Sequence, residues 1–101
     1  MENKTPLIII IDDEIHVRES LSQFLREFGS YRTITFEDGN EALDWLKHHC
    51  CDLCIVDIKM PGLTGIETIL EVRKMHPGQK FIIFTGSRFQ NIPDMSKKLG
   101  I

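Results

Sequence analysis

The sequence predicts an α/β fold, a doubly wound parallel sheet with helices on both faces. Two observations carry that reading. Short, continuous, β-branched apolar runs recur at Leu7–Ile11, at Cys54, Ile55 and Val56 between Leu53 and Ile58, and at Phe81–Phe84. The stretches between them repeat their apolar residues at helical spacing. Unbroken rather than alternating hydrophobicity marks strands covered on both faces, as in a parallel sheet between helix layers.

Taken in order, the first run is the most apolar strand. Val17, Leu21, Phe24, Leu25 and Phe28 then fall at i, i+4, i+7, i+8 and i+11, and Gly29 follows as a helix stop. Tyr31-Arg32-Thr33-Ile34-Thr35-Phe36 has the polar admixture of an edge strand. After an Asp38-Gly39 turn, residues 40–47 carry Ala42, Trp45 and Leu46 on one side of a second helix. The central strand follows. Ile66, Ile69, Leu70 and Arg73 sit at i, i+3, i+4 and i+7 of a third helix, closed by Pro77-Gly78. The fourth strand ends at Thr85, and a poorer helix is expected over about residues 93–99. Trp45 and the phenylalanines are expected in the core. Right-handed crossovers place helices on both faces, so chemistry is expected at the carboxyl ends of the strands.

Composition narrows the function. The 101 residues carry 12 Lys and Arg against 15 Asp and Glu, a formal charge of −3, with 42% hydrophobic residues. That is one domain of ordinary globular balance. An acidic chain argues against direct nucleic-acid binding and against an anionic membrane surface. No apolar run reaches the ~20 residues of a membrane span, and the polar start lacks signal-peptide features, so a cytoplasmic location is expected. Cys50, Cys51 and Cys54 are odd in number and clustered, unlike a disulfide framework. A zinc site at the Cys-x-x-Cys is disfavoured because four convergent ligands are wanted and Cys54 lies in an expected buried strand.

At the strand ends stand Asp12-Asp13-Glu14, then Asp57-Ile58-Lys59-Met60-Pro61-Gly62, then Thr85-Gly86-Ser87. If the three strands are neighbours, three aspartates and a hydroxyl converge on one rim. Crowded carboxylates raise one another's pKa unless a cation neutralises them. Mg²⁺, with its oxygen ligands, is the natural neutraliser. Asp13 has a plainer alternative role as a cap of the first helix.

These residues, with Gly65 beyond them, resemble the receiver domain of two-component response regulators, over nearly the whole chain in order and spacing. The resemblance implies a flavodoxin-like receiver fold of strand order 2-1-3-4-5. It implies that Asp57 accepts a phosphoryl group from a histidine-kinase phosphohistidine, or exchanges one with a phosphotransfer protein. It further implies Mg²⁺ bound by Asp13, Asp57 and the main-chain carbonyl of Lys59, with Asp12 acting through water. The Thr85 hydroxyl would bind the phosphoryl oxygens. Such a chain is a phosphorelay signalling module and not an enzyme.

The chain departs from that family in lacking the fifth strand, its lysine and the fifth helix. The receiver over residues 1–101 is thus expected to be incomplete at its C-terminus. Lys97 and Lys98 fall in the expected fourth helix and are no replacement. Either the chain is a fragment, the favoured reading, or it is a degenerate receiver acting as an unphosphorylated protein-interaction module. Without a fifth strand, the apolar fourth strand becomes an edge, and self-association through it is expected. Two rivals fail on spacing. A haloacid-dehalogenase-type phosphatase needs a second acid two positions beyond its nucleophile. A flavin carrier needs a phosphate-accepting loop where Asp12-Asp13-Glu14 would repel phosphate.

Overall fold

Five aliphatic residues at Leu7–Ile11 form strand β1, buried from Ile8 onward. The elements then alternate as helix α1 (Ile15–Phe28), β2 (Arg32–Phe36), α2 (Gly39–Leu46), β3 (Leu53–Asp57), α3 (Gly65–Met75) and β4 (Phe81–Phe84). This computed structural model describes residues 5–58 and 65–84. The expectations placed on Lys59, Met60-Pro61-Gly62, Thr85-Gly86 and the helix near 93–99 concern positions outside the described residues.

The strands form one parallel sheet in the order β2-β1-β3-β4. A parallel sheet is what the apolar runs predict, and the order matches the first four strands of the order that the receiver resemblance implies. Alternation along the strands divides the core in two. Ile9, Ile11, Cys54 and Val56 face α2 and α3, meeting Leu46 and Ile69. Ile8, Ile10 and Ile55 face the other way, toward Leu21 and Leu25 of α1. A fully buried isoleucine contributes about 1.5–3 kcal/mol, so these paired faces are the main hold on the fold. Among the described residues, no helix is long and apolar enough to cross a membrane.

Helix ends differ in detail from expectation. Asp38 caps α2 by accepting from the Glu41 amide at 2.8 Å, while the Glu41 carboxylate accepts from the Glu37 amide. The Asp38-Gly39 pair is therefore a helix start and not a turn. Gly29 does end α1, but with φ −113°, and the left-handed residue is Ser30 at φ 56°. A Cβ at 29 would lie 2.4 Å from the Tyr31 ring, so a larger residue there requires that exposed side chain to swing aside.

The expectation that the phenylalanines and Trp45 fill the core is corrected. Phe24 and Phe28 are 56% and 75% exposed, their rings paired at 5.0 Å on the outer side of α1. The α1 stripe is wider than the contact it makes: Leu21 and Leu25 pack on the sheet, and the buried Ser22 between them shares a 2.6 Å hydrogen bond with the Thr33 hydroxyl of β2. Phe36, Phe81 and Trp45 pack partly buried at the rim of the larger core, and Trp45 stacks on His49. In α3, Leu70 is 46% exposed while Thr68 is fully buried, so the inward face runs through Gly65, Thr68, Ile69 and Val72.

Candidate functional site

The sheet register builds the site. Ile11 pairs with Val56 in the parallel β1–β3 ladder, so the next residues, Asp12 and Asp57, stand side by side at the carboxyl ends. Asp13 follows in the loop to α1. Carboxylate oxygens of Asp12, Asp13 and Asp57 lie within 4.8 Å of one another. The aspartates expected to converge do so. Asp12 and Asp57 are buried, at 2% and 8% exposure, whereas Asp13 is exposed.

Asp13 does not cap α1. The N-cap is Glu14, which makes no side-chain capping bond. Its amide instead donates to Asp12 Oδ1 at 2.9 Å, and the Asp12 amide donates to the Phe36 carbonyl at 3.1 Å. Asp12 is thereby tied to the end of β2 through its amide and to the start of α1 through its side chain. Arg18 donates through Nη1 to the Asp12 main-chain carbonyl at 2.9 Å. This basic neighbour was missed in the motifs because it comes from the first turn of α1, six residues on. It meets the main-chain carbonyl of Asp12.

Gly65 is the second residue whose role is invisible in its neighbours. Its amide donates to the Ile58 carbonyl at 3.1 Å, and a Cβ at 65 would fall 2.1 Å from the Asp57 carbonyl oxygen. The first turn of α3 thus rests directly on the backbone of the central aspartate.

Burial pushes the Asp12 carboxyl from its usual 3.8 up to about 6. The Glu14 amide pulls the other way, and the charges of Asp57 and then Asp13 add to the rise. Three oxygen-bearing acids, two of them buried and crowded, make a donor set of the hard kind that a divalent cation such as Mg²⁺ takes. The cluster could hold such an ion; it is the one group of three or more metal-binding side chains among the described residues. Lys59 and Thr85, the other expected participants, lie outside those residues, although Phe84, paired with Asp57, directly precedes Thr85.

The raised value has a sign for stability. The unfolded chain releases the Asp12 proton near pH 4 and the folded chain near pH 6, so the folded state holds more protons between them. This group's contribution is therefore favourable below that window and is lost as pH rises through it. In metal-free buffer, Asp12→Asn is expected to be more stable than the parent at pH 7.5, with the gap narrowing toward pH 5. Thermal melts of both chains across pH 5–8 check this; a gap independent of pH would contradict it.

Comparison with known proteins agrees with this architecture. The response regulator receiver domain model matches residues 8–100. Response regulator Rre1 of Synechocystis is 33% identical over 86 residues, 85% of this chain but only 32% of Rre1, so the chain spans about a third of that protein. Sporulation initiation phosphotransferase F of Bacillus subtilis is 31% identical over 93 residues, covering 92% of this chain and 74% of its own length. Among solved structures, response regulator TrrA of Thermotoga maritima in complex with Mg²⁺-BeF is similar at TM-score 0.83 and 37% identity, over 94% of this chain and 81% of TrrA. TrrA is also solved in complex with the histidine kinase ThkA. A parallel sheet in this strand order, an aspartate cluster at its carboxyl end and a family match over nearly the full length lead to one conclusion: this chain belongs to the response regulator receiver domain family.

Proposed function

We propose that the chain is a phosphoacceptor in which Asp57 takes a phosphoryl group from a phosphohistidine of a sensor histidine kinase or phosphotransfer protein. The observation that carries this is the convergence of Asp12, Asp13 and Asp57 within 4.8 Å at the sheet's carboxyl end. A carboxylate is already ionised near neutral pH and needs no general base. An Asp57 carboxylate oxygen forms the new bond to phosphorus as the phosphorus–nitrogen bond to the donor imidazole breaks, leaving an acyl phosphate. Asp12, Asp13 and Asp57, with the Lys59 carbonyl, would hold Mg²⁺, which offsets repulsion between the carboxylate and the incoming phosphoryl oxygens. Thr85 is assigned the hydroxyl that donates to those oxygens. The kinase complex of the similar TrrA supports a histidine kinase as partner, and such a donor implies a cytoplasmic setting.

Incubation with a small phosphodonor and Mg²⁺ tests the proposal. The expected result is gain of one phosphoryl group, borohydride-reducible and mapped to residue 57 by mass spectrometry. Labelling elsewhere would refute the assignment. Mg²⁺ binding without any labelling would favour the alternative, an unphosphorylated interaction module. Asp13→Ala is expected to weaken Mg²⁺ binding more than Asp12→Ala in calorimetry.

Self-association belongs to the same proposal. β4 is an edge of the sheet among the described residues, and its Ile82 is 50% exposed. An apolar edge strand is a pairing template. Sedimentation of the 101-residue chain at micromolar concentration is expected to show a dimer or larger species, whereas a strict monomer would count against strand-edge pairing.

A further inference from the structure

At the opposite end of β3 from Asp57, two of the three cysteines meet. Cys51 Sγ lies 3.6 Å from Cys54 Sγ. Three residues apart in an extended chain would separate them, but the backbone bends at Asp52, and that bend is pinned on both sides. The Leu7 amide donates to Asp52 Oδ2 at 2.7 Å, and the Asp52 amide donates to the Leu7 carbonyl at 2.8 Å. The Cys54 amide donates to the Lys80 carbonyl at 3.0 Å. The backbone that carries the two thiols is therefore held by Leu7 at the start of β1 and by Lys80 just before β4.

Their environments differ in a useful way. Cys54 is fully buried, and Cys51 is half-buried beside a cleft also lined by Asp52, His76, Gln79 and Lys80. Cys51 also contacts Gln79 Oε1 at 3.6 Å. The hydrogen bond between the two thiols lowers the Cys51 pKa and raises that of Cys54. One thiol is reachable and activated; the other is sheltered behind it. Cys50 is exposed.

We propose that Cys51 and Cys54 form a redox-active dithiol that closes to an intramolecular disulfide by exchange with a small-molecule disulfide. Cys51 releases its proton to solvent, and its thiolate attacks one sulfur of the reagent, whose S–S bond breaks and expels a thiolate. Cys54 then gives up its proton and attacks Cys51 Sγ, expelling the second thiolate. Both released thiolates take up those protons. Two protein thiols and one disulfide thus become one protein disulfide and two small thiols. Closure needs the sulfurs to approach from contact distance to about 2.05 Å, with the backbone bend already made.

The test uses the whole chain and glutathione disulfide as probe, followed by acid quench, alkylation in denaturant, which opens the buried Cys54 to the reagent, and peptide mapping. Alkylatable thiols are expected to fall from three to one, the survivor being Cys50, with Cys51 linked to Cys54. Cys54→Ala is expected to stop at a glutathione adduct on Cys51. Cys50→Ser, altered only at the surface, is expected to lose both remaining thiols, and it decides the matter if Cys54→Ala does not fold. All thiols remaining alkylatable, or a linkage through Cys50, would overturn the proposal.

Discussion

Asparagine in place of Asp57 is expected to abolish phosphoryl labelling while leaving the chain folded and more stable than the parent in metal-free buffer. The amide is nearly isosteric, so the packing at the end of β3 survives, but it lacks the anionic oxygen that attacks phosphorus. Loss should be complete within detection and not a partial slowing. The stability gain has a separate origin. Asp57 is 8% exposed and shares a 4.8 Å cluster with Asp12 and Asp13, so removing its charge relieves like-charge repulsion. A gain on the order of 1–3 kcal/mol is expected without metal at neutral pH. Added Mg²⁺ should shrink that gain by stabilising the parent more. Label transfer and thermal melts on one preparation read both effects, and residual labelling of the variant would move the acceptor elsewhere.

Alanine at Gly65 is expected to cost the chain more stability than alanine at Gly29 or Gly78. Its Cβ would stand 2.1 Å from the Asp57 carbonyl oxygen and 2.8 Å from Ile58 Cα. Both are backbone atoms that cannot rotate aside, so the start of α3 must lift from the end of β3. Overpacking of this kind costs about 3 kcal/mol or more, against roughly 1 kcal/mol regained from helix propensity. For a domain of this size, a net cost near 2 kcal/mol corresponds to a fall in Tm of about 8–16 °C. Phosphoryl labelling should fall as well, because the displaced backbone carries the acceptor. Urea melts check the first effect, and unchanged stability would show that α3 slides freely on the sheet.

The type and order of elements were legible because their signals are local. Five consecutive aliphatics at Leu7–Ile11 cannot be satisfied on one face of an exposed strand, and the Gly65–Met75 spacing has no extended reading. The convergence of Asp12, Asp13 and Asp57 was legible too, since a doubly wound parallel sheet aligns the carboxyl ends of its central strands.

What each side chain meets is a different matter, because it depends on neighbours distant in sequence. Periodicity placed Phe24 and Phe28 on the apolar stripe of α1, yet the side turned to the sheet runs through Leu21, Ser22 and Leu25 and leaves both rings exposed. Asp12 and Asp13 are adjacent and chemically identical, and only the fold buries one and exposes the other, moving the Asp12 carboxyl to about 6. The need for glycine at 65 arises from a strand eight residues back, and the pairing of Cys51 with Cys54 from a bend held by Leu7. By itself the sequence determined the type and succession of the elements and the chemical class of the rim, which follow from short-range pattern, while the strand order was implied by the receiver resemblance. Tertiary structure alone decided burial, charge state and contact, because these are set by what packs across the gap and not by what comes next along the chain.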